Sequence, residues 1–255
     1  MQRNRPEIIA HRGASYDAPE NTMEAFQLGL DQGADALECD IHLSSDGELM
    51  VIHDPTVDRV TDTKGEVGKI TKAELGALDA GSWKAPKWRD ARIPTLAEVL
   101  DLTPPDRRIL IEVKCGLTAL PRLKEVLGAT TLPRDRMIIM EFDLKTVIAA
   151  RETFPDLEVL WLLNFPRWHP PWIKRRSLME NIERAQDLGF DGVNVQDVPQ
   201  LNADSIAECG ARKLKSYCWT VDDPARTARL FKCGINGVAT NRPGWMREQL
   251  DGLVA

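Results

Sequence analysis

The sequence predicts an α/β protein, a (β/α)8 TIM barrel with a small excursion after the second strand. Short apolar runs alternate with longer amphipathic runs along the chain, which is the pattern of successive βα units. We count eight such units, and 255 residues suit one barrel domain spanning residues 1–255. Right-handed crossovers would close this sheet without an exposed edge, and a doubly wound open sheet is the alternative.

The first unit opens with a strand near Glu7–His11. We predict that the helix after it has Asn21 as its N-cap, with Glu24 completing a box-like position three residues later. The second unit, from Leu37 onward, turns into a β-extension over Leu49–His53. Residues 55–92 then form the excursion that precedes the next helix.

That next helix is predicted over Thr95–Leu102, and a later one begins at Ser177. The six remaining strands are predicted from short apolar runs, over Arg108–Lys114, Arg136–Phe142, Leu157–Leu163, Gly192–Val195, Lys213–Thr220 and Gly237–Thr240. In either fold, ligands bind at the carboxyl ends of such strands, so polar side chains there become candidates for function.

Composition excludes several classes of protein. A net charge of −6 and a pI near 5.4 argue against a nucleic-acid-binding surface, and no apolar run is long enough for membrane insertion. The five cysteines are scattered without metal-binding spacing, which indicates a reducing compartment. Together with an N-terminus that lacks an apolar signal region, this predicts a cytoplasmic protein. The oligomeric state is not encoded in any pattern we recognise.

Charged side chains alternate along the second strand. Glu38 and Asp40 share one face, and the apolar residues Leu37, Cys39 and Ile41 share the other. Two carboxylates on one face repel each other unless a cation, a proton or an arginine offsets the repulsion. The pattern therefore indicates a metal site, although a solvated edge strand would give the same alternation.

The ends of other strands add complementary groups. Glu112 and Lys114 repeat the two-residue spacing on the third predicted strand, so both are expected to point inward. Three carboxylates form an all-oxygen site that suits Mg²⁺ or Ca²⁺ better than zinc. Arg12 and Lys114 would attract a phosphate, and His11 and His53 are the side-chain type used as general acid and base near neutral pH. These groups together predict phosphoester chemistry on a small-molecule substrate.

Eleven motifs, in order along nearly the whole chain, resemble the glycerophosphodiester phosphodiesterase family. They are Ile9–Gly13, Pro19–Thr22, Glu38–Asp40, Asp46–Gly47, His53–Pro55, Asp58–Arg59, Asp79–Trp83, Ile93–Leu96, Glu112–Lys114, Trp219–Val221 and Asn241–Pro243. The resemblance implies a TIM-barrel hydrolase that cleaves glycerophosphodiesters to glycerol 3-phosphate and an alcohol with one divalent cation, Mg²⁺ or Ca²⁺, with Mn²⁺ as a further candidate.

The resemblance also implies roles for residues that match its motifs. It makes Glu38, Asp40 and Glu112 the metal ligands and His11 and His53 the acid and base. Of the substrate-binding positions, Arg12 and Lys114 hold the phosphate, and Trp219 lines the glycerol pocket. The nucleophile is either water or the glycerol hydroxyl of the substrate, and the sequence does not say which histidine is the acid.

Some residues keep other interpretations open. Lys114 could neutralise Glu112, Arg12 could pair with Glu20, and Trp219 could be a core residue. His42 matches no motif and is expected to have a hydrophilic or supporting role.

Two positions depart from the family pattern. After the fourth strand the family commonly has Ser-Phe, and this chain has Glu141 before Phe142. Where the family commonly has Trp-Thr-Val-Asn, this chain has Asp222 in place of the Asn. Glu141 could join the metal ligands, repel an anionic headgroup or pair with Lys114. The segment Phe165–Trp172 is a lid, a lipid-contacting edge or a packed loop. The rival functions are a lysophospholipase D-like activity and non-hydrolytic binding of phosphate esters.

Overall fold

Parallel strands close into a barrel with helices on its outside. The structure is a computed structural model that describes residues 5–165 and 176–254, without the side chains of residues 253 and 254. Its strands are β1 Glu7–His11, β2 Ala36–Leu43, β3 Leu49–Val51, β4 Arg108–Val113, β5 Met137–Glu141, β6 Glu158–Leu163, β7 Gly192–Gln196, β8 Lys215–Trp219 and β9 Gly237–Thr240. Its α-helices are α1 Met23–Asp31, α2 Lys72–Leu75, α3 Leu96–Leu102, α4 Leu120–Ala129, α5 Leu144–Thr153, α6 Leu178–Asp187, α7 Ala203–Ala211, α8 Pro224–Lys232 and α9 Pro243–Val254.

The sheet order confirms the predicted TIM barrel and rules out the open sheet. The strands follow the order β1-β9-β8-β7-β6-β5-β4-β2-β3, and β1 also pairs with β2. Eight strands are therefore parallel and closed, while β3 pairs antiparallel with β2 as the predicted extension. The strand bounds predicted from sequence agree with the observed ones to within two residues.

Alternating side chains divide the barrel into an inner and an outer core. Along β4, Leu110 belongs to a small apolar cluster inside the barrel, whereas Ile109 and Ile111 belong to the large cluster between the sheet and the helices. The same alternation on β2 sends Leu37 and Cys39 outward, so Glu38 and Asp40 face the interior. Because of this alternation, the charged side chains of β2 point into the barrel.

The predicted N-cap of α1 is wrong by one residue. Thr22 is the N-cap, and its side chain accepts a hydrogen bond from the amide of Ala25. Asn21 instead has a left-handed backbone with φ of 57°, and its side chain donates to Asp40 across the barrel mouth. Asn tolerates this conformation better than most residues, so the tertiary contact overrides the local preference for capping.

The predicted excursion packs around its own small core and returns a charged residue to the barrel. Val57, Val67 and Leu75 are buried in a cluster separate from the main core. Arg59 reaches back from the excursion to the loop after β1.

The predicted segment Phe165–Trp172 lies, from residue 166 onward, outside the described residues, as does His169. Among the helices described, none has the length and apolar character needed to cross a membrane.

Candidate active site

A cavity of about 240 Å³ opens at the carboxyl ends of the barrel strands. Seven of the eight residues predicted for the site line it, and the eighth, Asp40, is fully buried at its base. The lining consists of His11, Arg12, Glu38, His53, Glu112, Lys114, Met140, Phe142, Leu162, Asn194, Trp219 and Ala239. The structure therefore brings together the polar groups that the sequence placed at separate strand ends.

Three carboxylates meet at the polar end of this cavity. Glu38, Asp40 and Glu112 each offer one oxygen, and these oxygens lie within 4.8 Å of one another. Strand register explains the meeting, because Asp40 pairs with Glu112 across β2 and β4, and His11 pairs with Glu38 across β1 and β2. Their shared inward direction follows from the two-residue period of each strand.

Asp40 is the most strongly supported member of the three. Its Oδ2 accepts a hydrogen bond of 2.9 Å from Asn21 Nδ2 and lies 3.2 Å from Arg12 Nε. Its Oδ1 is buried and has no hydrogen-bond partner among the described residues. Burial acts to raise the pKa of Asp40, but the charges of Arg12, His53 and Lys114 outweigh it and lower the pKa below its ordinary value.

The other two carboxyls are held in a less favourable environment. Burial, followed by the charges of Asp40 and Glu112, raises the pKa of Glu38 well above its ordinary value. Burial and the charge of Asp40 raise the pKa of Glu112 to about 8, although Lys114 opposes this effect. A site that disfavours ionised carboxylates in this way gains stability from any cation that binds between them.

These residues fit a hard divalent cation. All three donors are oxygens, which Mg²⁺ and Ca²⁺ prefer, and the buried Asp40 Oδ1 is an acceptor that has no hydrogen-bond donor in the described part of the chain. The side chains of Arg12 and Lys114 do not take the place of a metal ion at Asp40 Oδ1. Arg12 contacts Asp40 Oδ2 and Glu20 instead. Lys114 Nζ lies 3.8 Å from Asp40 Oδ1, beyond hydrogen-bond distance. The donor set is unsuited to zinc.

Arg12 joins the loop after β1 to the carboxylates. Its backbone has φ of 56°, an uncommon conformation for a residue with a side chain, and its amide donates to Glu38 Oε2 at 2.9 Å. Its Nη1 donates to Glu20 Oε1 at 2.9 Å. The pairing with Glu20 foreseen from sequence therefore occurs, and it coexists with contacts to Asp40.

Lys114 and His53 form the opposite wall. Lys114 Nζ donates to Glu112 Oε1 at 2.7 Å and lies 3.2 Å from His53 Nε2. His53 Nδ1 lies 2.6 Å from Asp54 Oδ1, and Arg59 Nε donates to Asp54 Oδ2. Because a carboxylate only accepts, His53 carries a proton on Nδ1 and turns Nε2 toward the cavity.

His11 is oriented in the same way by an amide. Its Nδ1 lies 2.8 Å from Asn241 Oδ1, and its Nε2 lies 4.0 Å from Glu38 Oε2. Burial, with the nearby charge of Arg12, lowers the pKa of His11 to about 4. His42 stays outside this arrangement and donates from Nε2 to the backbone carbonyl of His53, at 3.1 Å.

Apolar side chains form the remaining wall. The Trp219 ring packs edge-on against Phe142, with ring centroids 5.5 Å apart, and its Nε1 donates to the carbonyl of Asn194. Asn194 is 1% exposed, and its Oδ1 has no partner among the described residues. An aromatic surface beside an unpaired acceptor suits a short polyol chain.

Glu141 does not belong to the carboxylate group. Its Oε1 accepts hydrogen bonds from the backbone amides of Phe142 and Asp143, at 2.6 and 3.2 Å. Of the three roles considered for it, ligation with Glu38, Asp40 and Glu112 has no geometric support in the described part of the chain.

Sequence reasoning missed the residues that support the site. The sequence predicts Asn21 as a helix cap and assigns no role to Asn194. The recognised motifs include Asp54, Arg59 and Asn241, but the spacing of these residues does not predict a role for them. A polar residue inside an apolar strand, as Asn194 is in β7, was the available clue.

Comparison with known proteins agrees with this geometry. The sequence profile of the glycerophosphoryl diester phosphodiesterase family matches residues 11–245. A protein of Caldanaerobacter subterraneus subsp. tengcongensis named glycerophosphodiester phosphodiesterase is 34% identical over 240 residues, which covers 92% of this chain and 94% of that protein. A Bacillus subtilis protein of the same name is 29% identical and covers 92% of this chain and 83% of its own.

Solved structures give the same result. An Oleispira antarctica phosphodiesterase in complex with the product sn-glycerol-3-phosphate has a TM-score of 0.82 and 27% identity to this chain. The similarity covers 97% of each chain. The chain therefore belongs to the glycerophosphoryl diester phosphodiesterase family, a family of phosphoric diester hydrolases, as its motifs predict.

Proposed function

We propose that this protein is a divalent-metal-dependent phosphodiesterase that hydrolyses glycerophosphodiesters to glycerol 3-phosphate and an alcohol. One observation carries the proposal: three carboxylates, two cationic side chains and two imidazole Nε2 atoms surround a single small cavity with an apolar wall. Relatives named glycerophosphodiester phosphodiesterase and the product complex of the Oleispira antarctica enzyme support the choice of substrate class.

Glu38, Asp40 and Glu112 would hold the cation, Mg²⁺ or Ca²⁺, with Mn²⁺ as a further candidate. When bound, the cation would stabilise negative charge that develops on the phosphate oxygens. Arg12 and Lys114 add positive charge at the same place, Arg12 through a planar fork and Lys114 as a point charge. The phosphate therefore belongs at the polar end of the cavity.

The glycerol moiety belongs at the apolar end. Trp219 offers a flat surface for its carbon atoms, and Asn194, whose buried Oδ1 has no hydrogen-bond partner among the described residues, lines the same cavity. A hydroxyl that reached this oxygen would supply a donor that the described residues do not provide, which favours substrates with a hydroxylated arm.

His11 and His53 would transfer the protons. One Nε2 takes a proton from the nucleophile as it attacks phosphorus, and the other gives a proton to the alcohol oxygen as its bond to phosphorus breaks. Water and the substrate's own glycerol hydroxyl both meet this requirement, the latter by way of a cyclic phosphate that water then opens. In either route the net reaction consumes one water and releases glycerol 3-phosphate.

Coupled assays for glycerol 3-phosphate and for choline test the function. Purified protein is given glycerophosphocholine, other glycerophosphodiesters and lysophosphatidylcholine, with Mg²⁺, Ca²⁺ or Mn²⁺ in turn. We expect metal-dependent release of glycerol 3-phosphate from at least one glycerophosphodiester. Release of choline from the lysolipid alone would favour the lysophospholipase D-like activity, and binding without turnover under every condition would favour a non-hydrolytic protein.

We also propose that residues 1–255 form one catalytic domain that acts in the cytoplasm. The family profile covers residues 11–245, which supports a single catalytic unit. All five cysteines are free, which suits a reducing compartment.

A further inference from the structure

The nitrogen of His11 that faces away from the cavity contacts an amide held by a carboxylate. His11 Nδ1 lies 2.8 Å from Asn241 Oδ1, and Asn241 Nδ2 donates to Asp222 Oδ2 at 2.6 Å. We propose that Asp222 is a positioning residue that fixes the Asn241 amide and thereby keeps a proton on His11 Nδ1 and Nε2 toward the cavity. The proposal rests on the proposed role of His11 in proton transfer.

The directions of the hydrogen bonds carry the argument. A carboxylate only accepts, so the amide atom that faces Asp222 must be the NH₂ group of Asn241. The amide oxygen then faces His11, and an oxygen only accepts, so His11 Nδ1 must donate. Ser15 Oγ lies 2.9 Å from the same oxygen and 2.8 Å from the carbonyl oxygen of His11, and its single proton can be donated to either acceptor. Asp222 thus determines the tautomer of a ring that it does not touch.

This orientation suits both protonation states of His11. Neutral His11 with its proton on Nδ1 has a free lone pair on Nε2, and protonated His11 donates from both nitrogens. Asn241 Oδ1 accepts from Nδ1 in each state, so a proton can arrive at and leave Nε2 without rearrangement. A reversed amide would place a donor against Nδ1, move the neutral proton to Nε2 and oppose protonation.

The two oxygens of Asp222 have separable contacts. Oδ1 accepts from Thr240 Oγ1 at 2.7 Å and from the Asn241 backbone amide at 2.8 Å, which secures the end of β9. Oδ2 accepts from the Asn241 side chain. The change Asp222→Asn keeps an oxygen for the first pair of contacts and replaces the second oxygen with a donor. The variant therefore places a donor against the Asn241 side chain, which favours a rotated Asn241 amide, while the contacts that hold the loop remain.

The kinetic test uses this variant with a rescue and a control. We expect Asp222→Asn to lower kcat for glycerophosphodiester hydrolysis about 10-fold or more, with KM within about twofold of wild type. The double variant Asp222→Asn with Asn241→Asp restores an acceptor against His11 and should return kcat to within about threefold of wild type. The control Asp223→Asn makes the same charge change at the N-cap of α8, where Asn also caps, and should leave kcat unchanged.

A spectroscopic measurement tests the proposal without turnover. Nitrogen-15 shifts of the chain's four histidines, recorded without metal at mildly alkaline pH, report which ring nitrogen carries the proton. We expect His11 to carry it on Nδ1 in wild type and in the double variant, and on Nε2 in Asp222→Asn. An Nδ1 proton in Asp222→Asn, wild-type kcat in that variant, or failure of the rescue overturns the proposal. Absence of turnover in wild type with the expected tautomers would instead count against the proposed function.

Discussion

Replacing Glu112 with Gln should have opposite effects on stability with and without metal. In the metal-free protein burial and Asp40 raise the pKa of Glu112 from 4.5 to about 8. A carboxyl with a higher pKa in the folded than in the unfolded protein makes the folded state less stable as the pH rises from the unfolded-state pKa toward the folded-state pKa. Between pH 4.5 and about pH 7 the free energy of unfolding falls by roughly 3 kcal/mol, since each pH unit contributes about 1.4 kcal/mol.

A neutral Gln removes this penalty but accepts the hydrogen bond from Lys114 Nζ less strongly than the carboxyl of Glu112 does. We therefore expect Glu112→Gln to be about 2 kcal/mol more stable than wild type in EDTA at about pH 7, a rise in Tm of about 4–8 °C. Saturating metal reverses the order. A cation present at 100 times its Kd stabilises wild type by about 2.7 kcal/mol, and the variant, with two carboxylates left, should gain far less.

Thermal unfolding with and without Mg²⁺, Ca²⁺ or Mn²⁺ measures both effects. Glu141→Gln is the matched control, because Glu141 is a nearby carboxyl that contacts its own loop rather than the three candidate ligands. Its metal-induced rise in Tm should equal that of wild type. Lower stability of Glu112→Gln than of wild type in EDTA, or an equal metal-induced rise in the Tm of both proteins, would contradict this prediction.

Three further predictions concern the proton-transfer pair, the charge network and the apolar wall. His11→Ala and His53→Ala should each lower kcat about 100-fold or more in the glycerol 3-phosphate assay, and near-wild-type kcat in either would refute the pair. Glu20 has its pKa lowered to about 2 because its two arginine partners outweigh burial, so its stabilising effect holds above its ordinary pKa and fades as pH falls. Urea unfolding should show wild type losing about 1 kcal/mol more than Glu20→Gln between pH 6 and pH 4, and parallel losses would contradict this. Asn194→Leu should raise KM about 3–10-fold with little change in kcat, and an unchanged KM would remove the proposed hydroxyl contact.

Local periodicity was sufficient to predict the fold and the candidate ligands. A strand has a period of two residues, so Glu38 and Asp40 on β2 and Glu112 on β4 had to share the inner face of a closed sheet. The barrel rule then placed them at one end with His11 and Lys114. These inferences needed only spacing within each strand and the fact that parallel strands end together.

Contacts between distant segments could not be predicted in this way. His11 and Asn241 are 230 positions apart, and their hydrogen bond depends on how the loops after β1 and β9 meet. Arg59 reaches Glu20 from the excursion, whose path has no periodic signal. Asn21 shows the opposite failure, because a strong local preference for capping was overridden by its contact with Asp40.

The dependence of turnover on a divalent cation tests the central claim most directly. Wild-type protein is treated with EDTA, passed into metal-free buffer and titrated with Mg²⁺, Ca²⁺ or Mn²⁺ while release of glycerol 3-phosphate from glycerophosphocholine is followed, with Asp40→Asn in parallel. We predict no release before metal is added, recovery as one ion binds per chain, and no recovery in Asp40→Asn. Undiminished turnover by wild type in excess EDTA would contradict the account.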